Sequence, residues 1–246
     1  MIASVGVSFP RDFYSNFLML MRWIHLLAGI MWIGLLYFFN LVGFPVMQEL
    51  DPGTRARVMP SLMLRALWWF RWSALVTVLA GLAYWGQMVS ALAQAAGAGS
   101  GVAMGSFFLI WTVTWAILYA LLLPGKGIMD KGWFLAILVA IVVIAASWLF
   151  LYFNSHGWES NSMLSIGIGG GIGWVLLLNV WGVVWRIQKR LIAWTRANVE
   201  FGTPIPPKAP RMARIAFLTS RIAAWLTIPL LFFMGAASHY PLFNGM

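Results

Sequence analysis

Three histidines, His25, His156 and His239, are the residues whose chemistry most needs explaining in this chain. His25 lies within a long apolar run, and His239 falls just past another. His156, beside Gly157 in a polar stretch, reads as a solvated loop residue. Arg22 precedes His25 by three residues, so on a helix the two share a face. Two neutral imidazoles from different helices can ligate the iron of a b-type haem axially, with Arg22 offsetting a propionate. Alternatively, His25 hydrogen-bonds inside a bundle and His239 caps a helix end. Spacing alone leaves both readings open.

Ionisable groups inside apolar spans are costly and mark candidate functional positions. Besides His25, the chain places Arg71, Arg221, Asn40 and Asn179 in such runs. Arg71 can carry its charge to an interface along its aliphatic stem. Arg221 lies about two turns into the last apolar run and needs backbone carbonyls or a lipid or quinone headgroup. No Asp or Glu falls deep in any run, which argues against a proton pump or a carboxylate-based cation transporter. Met19 and Met21, with Met59 and Met63, do not form the clustered thioether set that copper would want. Copper uptake is therefore only a remote alternative. The absence of cysteine excludes disulfides, cysteine zinc sites, iron–sulfur clusters and covalently attached c-type haem within this sequence.

The elements that must position these residues are membrane helices. Hydrophobic residues make up 62% of the chain and charged residues 9%, far below the roughly 25% charged of soluble domains. Apolar stretches of about 20 residues, long enough to cross a bilayer, occur near 17–41, 67–93, 105–123, 133–153, 163–185 and 215–237. Lipid leaves no partner for an open strand edge, so each is expected to be a helix. The fold class is all-α: a single polytopic domain of about six spans over residues 1–246. Turn chemistry at Asp51-Pro52-Gly53, Pro124-Gly125, Asn154 to Gly157 and Pro204 to Pro210 separates the spans. The glycines at 167, 169, 170, 171 and 173 point to close helix packing through small residues.

Charge sets the expected direction. The loops after the first, third and fifth spans carry twelve Lys and Arg, from Arg55, Arg57 and Arg65 through Lys126 and Lys131 to the basic loop 186–214. The other face has Arg11 alone. By the positive-inside rule both termini are expected on the periplasmic side of a bacterial inner membrane. Arg186 to Glu200 reads as a basic helical extension lying near the lipid surface. The net charge of +10 is thus directed to membrane lipids, and no nucleic-acid recognition module is present. All three histidines fall in the outer half.

Three segments together resemble the membrane domain of the bacterial membrane-bound urate hydroxylase, the urate oxidase N-terminal family. They are Arg22-Trp23-Ile24-His25 through Trp32-Ile33-Gly34 to Tyr37-Phe38, then Trp69-Phe70-Arg71-Trp72 with Leu79-Ala80-Gly81, and Leu226-Thr227-Ile228-Pro229 closing on Ser238-His239-Tyr240-Pro241. Asn179-Val180 and Gln188 fit the same pattern. The His-x6-Trp-x-Gly piece is also similar to helices of copper-resistance D-type proteins and of the J-type protoporphyrinogen oxidase. The C-terminal segment therefore carries the discrimination.

The resemblance implies a multi-helix redox membrane protein that passes electrons to a c-type cytochrome outside the membrane. In the family that cytochrome is fused; here no Cys-x-x-Cys-His segment occurs, so a separate cytochrome is the expected partner. Where the family pattern has His-Asn-Asn-Tyr, this sequence has Ile222-Ala223-Ala224-Trp225, and the family's histidine near the start of the fifth span is missing around Ser162–Ile166. Two functions are expected from these features. One is a redox-linked membrane protein holding haem b through His25 and His239, with Arg22 beside it. The other is a non-catalytic accessory or scaffold subunit of a larger membrane oxidase or respiratory complex.

Overall fold

The computed structural model describes residues 8–123 and 132–243, and over these it is helical with no strand. Lys126, Lys131 and the Pro124-Gly125 turn lie outside the described residues. Six helices are long and apolar enough to cross a membrane, as the six apolar runs require.

Helix α1 (Phe13–Tyr37) starts where the Asp12 carboxylate accepts the Ser15 N–H at 2.7 Å, satisfying one of the orphan donors of the first turn. It runs on through a π-helical segment, Phe38–Gly43, into α2 (Phe44–Glu49), making one apolar rod of 37 residues. Asp51 then caps α3 (Pro52–Ala95), accepting the N–H groups of Gly53 and Thr54 at 3.0 Å each. Pro52 fits the first turn, where a missing N–H costs nothing.

At 44 residues, α3 is about 66 Å long, twice the roughly 30 Å of hydrocarbon in a bilayer. Arg55, Arg57 and Arg65 therefore ride on its N-terminal turns rather than in a loop. Helices α4 (Gly101–Leu122) and α5 (Gly132–Tyr152) follow. Helix α6 (Asn161–Leu178) passes through a second π-helical segment, Asn179–Val184, into α7 (Trp185–Phe201). Gly202, at φ +66°, ends α7 in the left-handed conformation that glycine adopts without penalty. The basic stretch 186–214 is thus mostly helix: α7, a link over 202–208, and the first turns of α8 (Ala209–His239).

Helix α6 is the hub. Of its most apolar window 78% is buried, against 22–39% for the other five. It packs on α3, α4, α5 and α8, while α1 lies along α3. Glycines make this possible. A methyl on Gly171 would fall 1.9 Å from the Trp111 indole of α4, and one on Gly167 would fall 2.4 Å from the Phe150 ring of α5. Both rings are fully buried against the bare α6 backbone.

The outer surface is the reverse of a soluble protein's. Leu109, Ile144, Trp148 and Trp225 are each about two-thirds exposed, in company with many other large apolar side chains. Contiguous exposure on that scale marks a surface meant for lipid or for another protein.

Candidate functional site on the α1–α3 face

His25 and Arg22 project from α1 onto one stripe of α3, made by Thr77, Gly81 and Tyr84. Those three are spaced by four and three residues, which places them on one helix face. The His25 Nδ1 lies 2.7 Å from the Thr77 backbone oxygen. A carbonyl only accepts, so Nδ1 donates, and Nε2 is not spent on this bond. The ring rests on the bare α-carbon of Gly81, where a methyl would come within 2.8 Å of Nδ1 and 2.9 Å of Cε1. One turn farther along α1, Gly29 sits against the Thr77 methyl, allowing the two helices to lie close.

Arg22 donates to the Tyr84 hydroxyl, and its guanidinium carbon lies 4.5 Å from that ring's centre. The imidazole is half-buried and Arg22 is exposed. The result is an imidazole held in one orientation, with Nε2 not engaged by α3 and a cation one turn away. Hydrogen bonding of the distal ring nitrogen to a carbonyl is how proteins orient histidines that bind metals or polar ligands.

His239 is placed by different means. Asn161, at the start of α6, donates to the carbonyls of Ala236, Ala237 and Tyr240 at 3.2–3.4 Å. Its own oxygen accepts the N–H groups of Leu242 and Phe243. Ser162 adds a bond to the Ala237 oxygen at 2.6 Å. This clamp satisfies the carbonyls at the end of α8 and leaves His239 exposed in its last turn.

His25 and His239 stand on separate helices, α1 and α8. Asn40 of the rod bonds Ser220 of α8, and the helices run antiparallel from there. Trp85, one turn past Gly81, bonds Met163 of α6, whose neighbours hold Ala237. Among the described residues no group of three or more His, Asp or Glu side chains converges as a metal site.

His156 pairs with Glu159 at 2.8 Å in the α5–α6 loop, away from the α1–α3 stripe. Burial pushes the Glu159 carboxyl up, but hydrogen bonds from the His156 ring and from the backbone outweigh it and hold it below its ordinary value.

The other polar groups tie the bundle at its opposite end. Arg71 stacks 3.9 Å from the centre of Trp185, with Trp181 and Trp72 at 5.5 and 5.6 Å. Trp181 donates to the Arg71 carbonyl, and Trp115 donates to Asn179 at 3.1 Å. Tyr37 meets the Thr227 hydroxyl at 2.7 Å.

Sequence reasoning missed Thr77, Gly81, Tyr84 and Asn161. The spacing of the first three marks one face of α3, but nothing in the sequence says that this face meets Arg22 and His25. Asn161 could have been found from its place at the start of an apolar run.

Compared with known families, residues 50–246 match a model described as urate oxidase N-terminal. The match takes in α3 to α8 and His239, and begins after the α1–α2 rod that carries Arg22 and His25. No curated protein and no solved structure matches the chain.

Proposed function

The chain belongs to the urate oxidase N-terminal family, and from that premise we propose that it is a redox-linked integral membrane protein whose working face is the α1–α3 stripe around His25. It would lie in a bacterial inner membrane with both termini periplasmic, and exchange electrons with a separate c-type cytochrome. The observation that carries this reading is the His25–Thr77 hydrogen bond on Gly81. It spends one ring nitrogen on orientation and leaves Nε2 free in the half of the bundle where the cytochrome would dock.

A b-type haem fits this face in part. His25 would supply one axial nitrogen through Nε2, and Arg22 would stand beside a propionate. Bound there, such a group supplies one-electron transfer. His239, in the last turn of α8, is the histidine that would supply a second nitrogen to such a group. The chain's own contribution is to fix the imidazole and offer a neighbouring cation.

A second reading, the non-catalytic scaffold of a larger oxidase, is favoured by one specific observation. At the positions where the family has His-Asn-Asn-Tyr, Ala223 is buried in the core and Trp225 is exposed on the lipid-facing side. Ala223 has no hydrogen-bonding side chain, and Trp225 offers only an indole N–H donor. The loss removes polar chemistry from α8 and leaves packing.

The optical spectrum of purified protein, with and without dithionite, separates the two. The redox reading expects sharp haem bands that vanish in His25→Ala. A featureless spectrum in protein that co-purifies with oxidase subunits would sink it and leave the scaffold.

A further inference from the structure

On the side of the bundle away from His25, helices α5 and α8 diverge over a floor formed by Ile168 and Ile172 of α6. The groove between them has a volume of about 900 Å³, at the upper end of the roughly 300–1,000 Å³ of ligand pockets. It runs from Gly132 and Arg221 at one end to Leu151 and Phe243 at the other. Nineteen residues of α5 separate Gly132 from Leu151, so it spans about 28 Å at 1.5 Å per residue. Its walls are apolar throughout, with Ser147 and Arg221 as the exceptions, and no Asp or Glu is among the lining residues.

Arg221 is the feature that selects an occupant. Its guanidinium carbon lies 5.1 Å from the Phe217 ring, and among the described residues no acceptor bonds it. A charge left so in an apolar groove is costly unless a ligand supplies the counter-charge. Its height also matters. Gly169 meets Leu230 across the α6–α8 contact. Antiparallel register then sets Arg221 level with the end of α6, close in height to Trp181 and Trp185. Tryptophans gather where lipid headgroups meet the hydrocarbon, the depth at which a phospholipid phosphate lies. Trp225, one turn along α8 and about two-thirds exposed, flanks the path a tail would take.

We infer that this groove is a specific site for an anionic phospholipid: the phosphate pairs with Arg221 and an acyl chain lies between α5 and α8. A phosphate offers the bidentate geometry that guanidinium matches best. The site is independent of His25 and of the redox reading, since it uses different helices and different residues.

The test is native mass spectrometry of delipidated full-length protein titrated with phosphatidylglycerol, phosphatidylcholine or a long-chain ubiquinone. One phosphatidylglycerol is expected to bind in preference to phosphatidylcholine. Arg221→Gln should weaken it about tenfold, the worth of a charge-assisted hydrogen bond, and Arg221→Lys should recover part of that. Ala140→Phe, which fills the groove and leaves Arg221 in place, should weaken binding of the same lipid. Equal binding by wild type and Arg221→Gln would overturn the assignment, and so would preferential retention of the quinone.

Discussion

The imidazole of His25 lies on the bare α-carbon of Gly81, close enough that a single methyl there would strike the ring at 2.8 Å. Gly81→Ala should therefore push His25 off Thr77 and cost about 1–3 kcal/mol, the usual range for overpacking a well-fitted contact. The check is a double-mutant cycle on thermal unfolding in detergent. In a His25→Ala background the ring is gone, so the Gly81→Ala penalty should shrink or disappear. An unchanged penalty would mean that the two residues do not touch.

A second pair of glycines gives an internal control. A methyl on Gly171 would overlap the buried Trp111 indole at 1.9 Å, whereas one on Gly170 meets nothing nearer than 3.8 Å. Trp111 is wholly buried and cannot swing aside. Gly171→Ala is expected to lower the unfolding midpoint by the equivalent of at least 1–3 kcal/mol or so. Gly170→Ala should be neutral, or stabilising by roughly 0.5–1 kcal/mol from reduced backbone freedom in a helix. Equal midpoints for the two variants would contradict the packing of α4 on α6.

The number of spans was legible in the sequence because apolar length is a one-dimensional property, and lipid accepts few alternatives to a helix. Where the helices end was less so. Arg55 and Arg65 look like loop residues by charge, yet backbone hydrogen bonding continues through them from the Asp51 cap. Helix adjacency was not legible at all. The face shared by Arg22 and His25 follows from their spacing, but nothing in that spacing names Thr77 and Gly81 as the surface beneath. The pairing of His25 with His239 rested on their common half of the bundle, and their spacing in the sequence says nothing of how α1 lies against α8. The glycine run in α6 did announce close packing, though not that Trp111 and Phe150 are what it admits.

Membership of the family does not carry urate chemistry to this chain unaided. With Ile222 apolar, Ala223 buried and Trp225 about two-thirds exposed on α8, the histidine and two amides of the family pattern are absent from these positions. A site built to bond polar edges loses several orders of magnitude in discrimination when its partners are removed. Purified protein supplied with oxidised cytochrome c is expected to leave urate absorbance unchanged over hours. Consumption above that of a His25→Ala control would show that the chain retains the activity by other residues.

The loop that joins α5 to α6 should make part of the stability depend on acid pH. Glu159 accepts the His156 ring at 2.8 Å and the N–H groups of His156 and Trp158 at 3.0 and 3.2 Å. Although burial opposes ionisation, these bonds hold the carboxyl below its ordinary value. A carboxyl depressed in the folded state contributes its stability at pH above the ordinary carboxylate range, and loses it as pH falls through the depressed value. The same loop delivers Asn161 to the end of α8, so loosening it should also free the clamp beneath His239. Unfolding midpoints of wild type and Glu159→Gln, measured from neutral pH down to the acid limb, test the linkage. Wild type should be the more stable at neutral pH, and the gap should close as the carboxyl protonates. A gap that stays constant across the titration would assign the effect of the substitution to packing and not to charge.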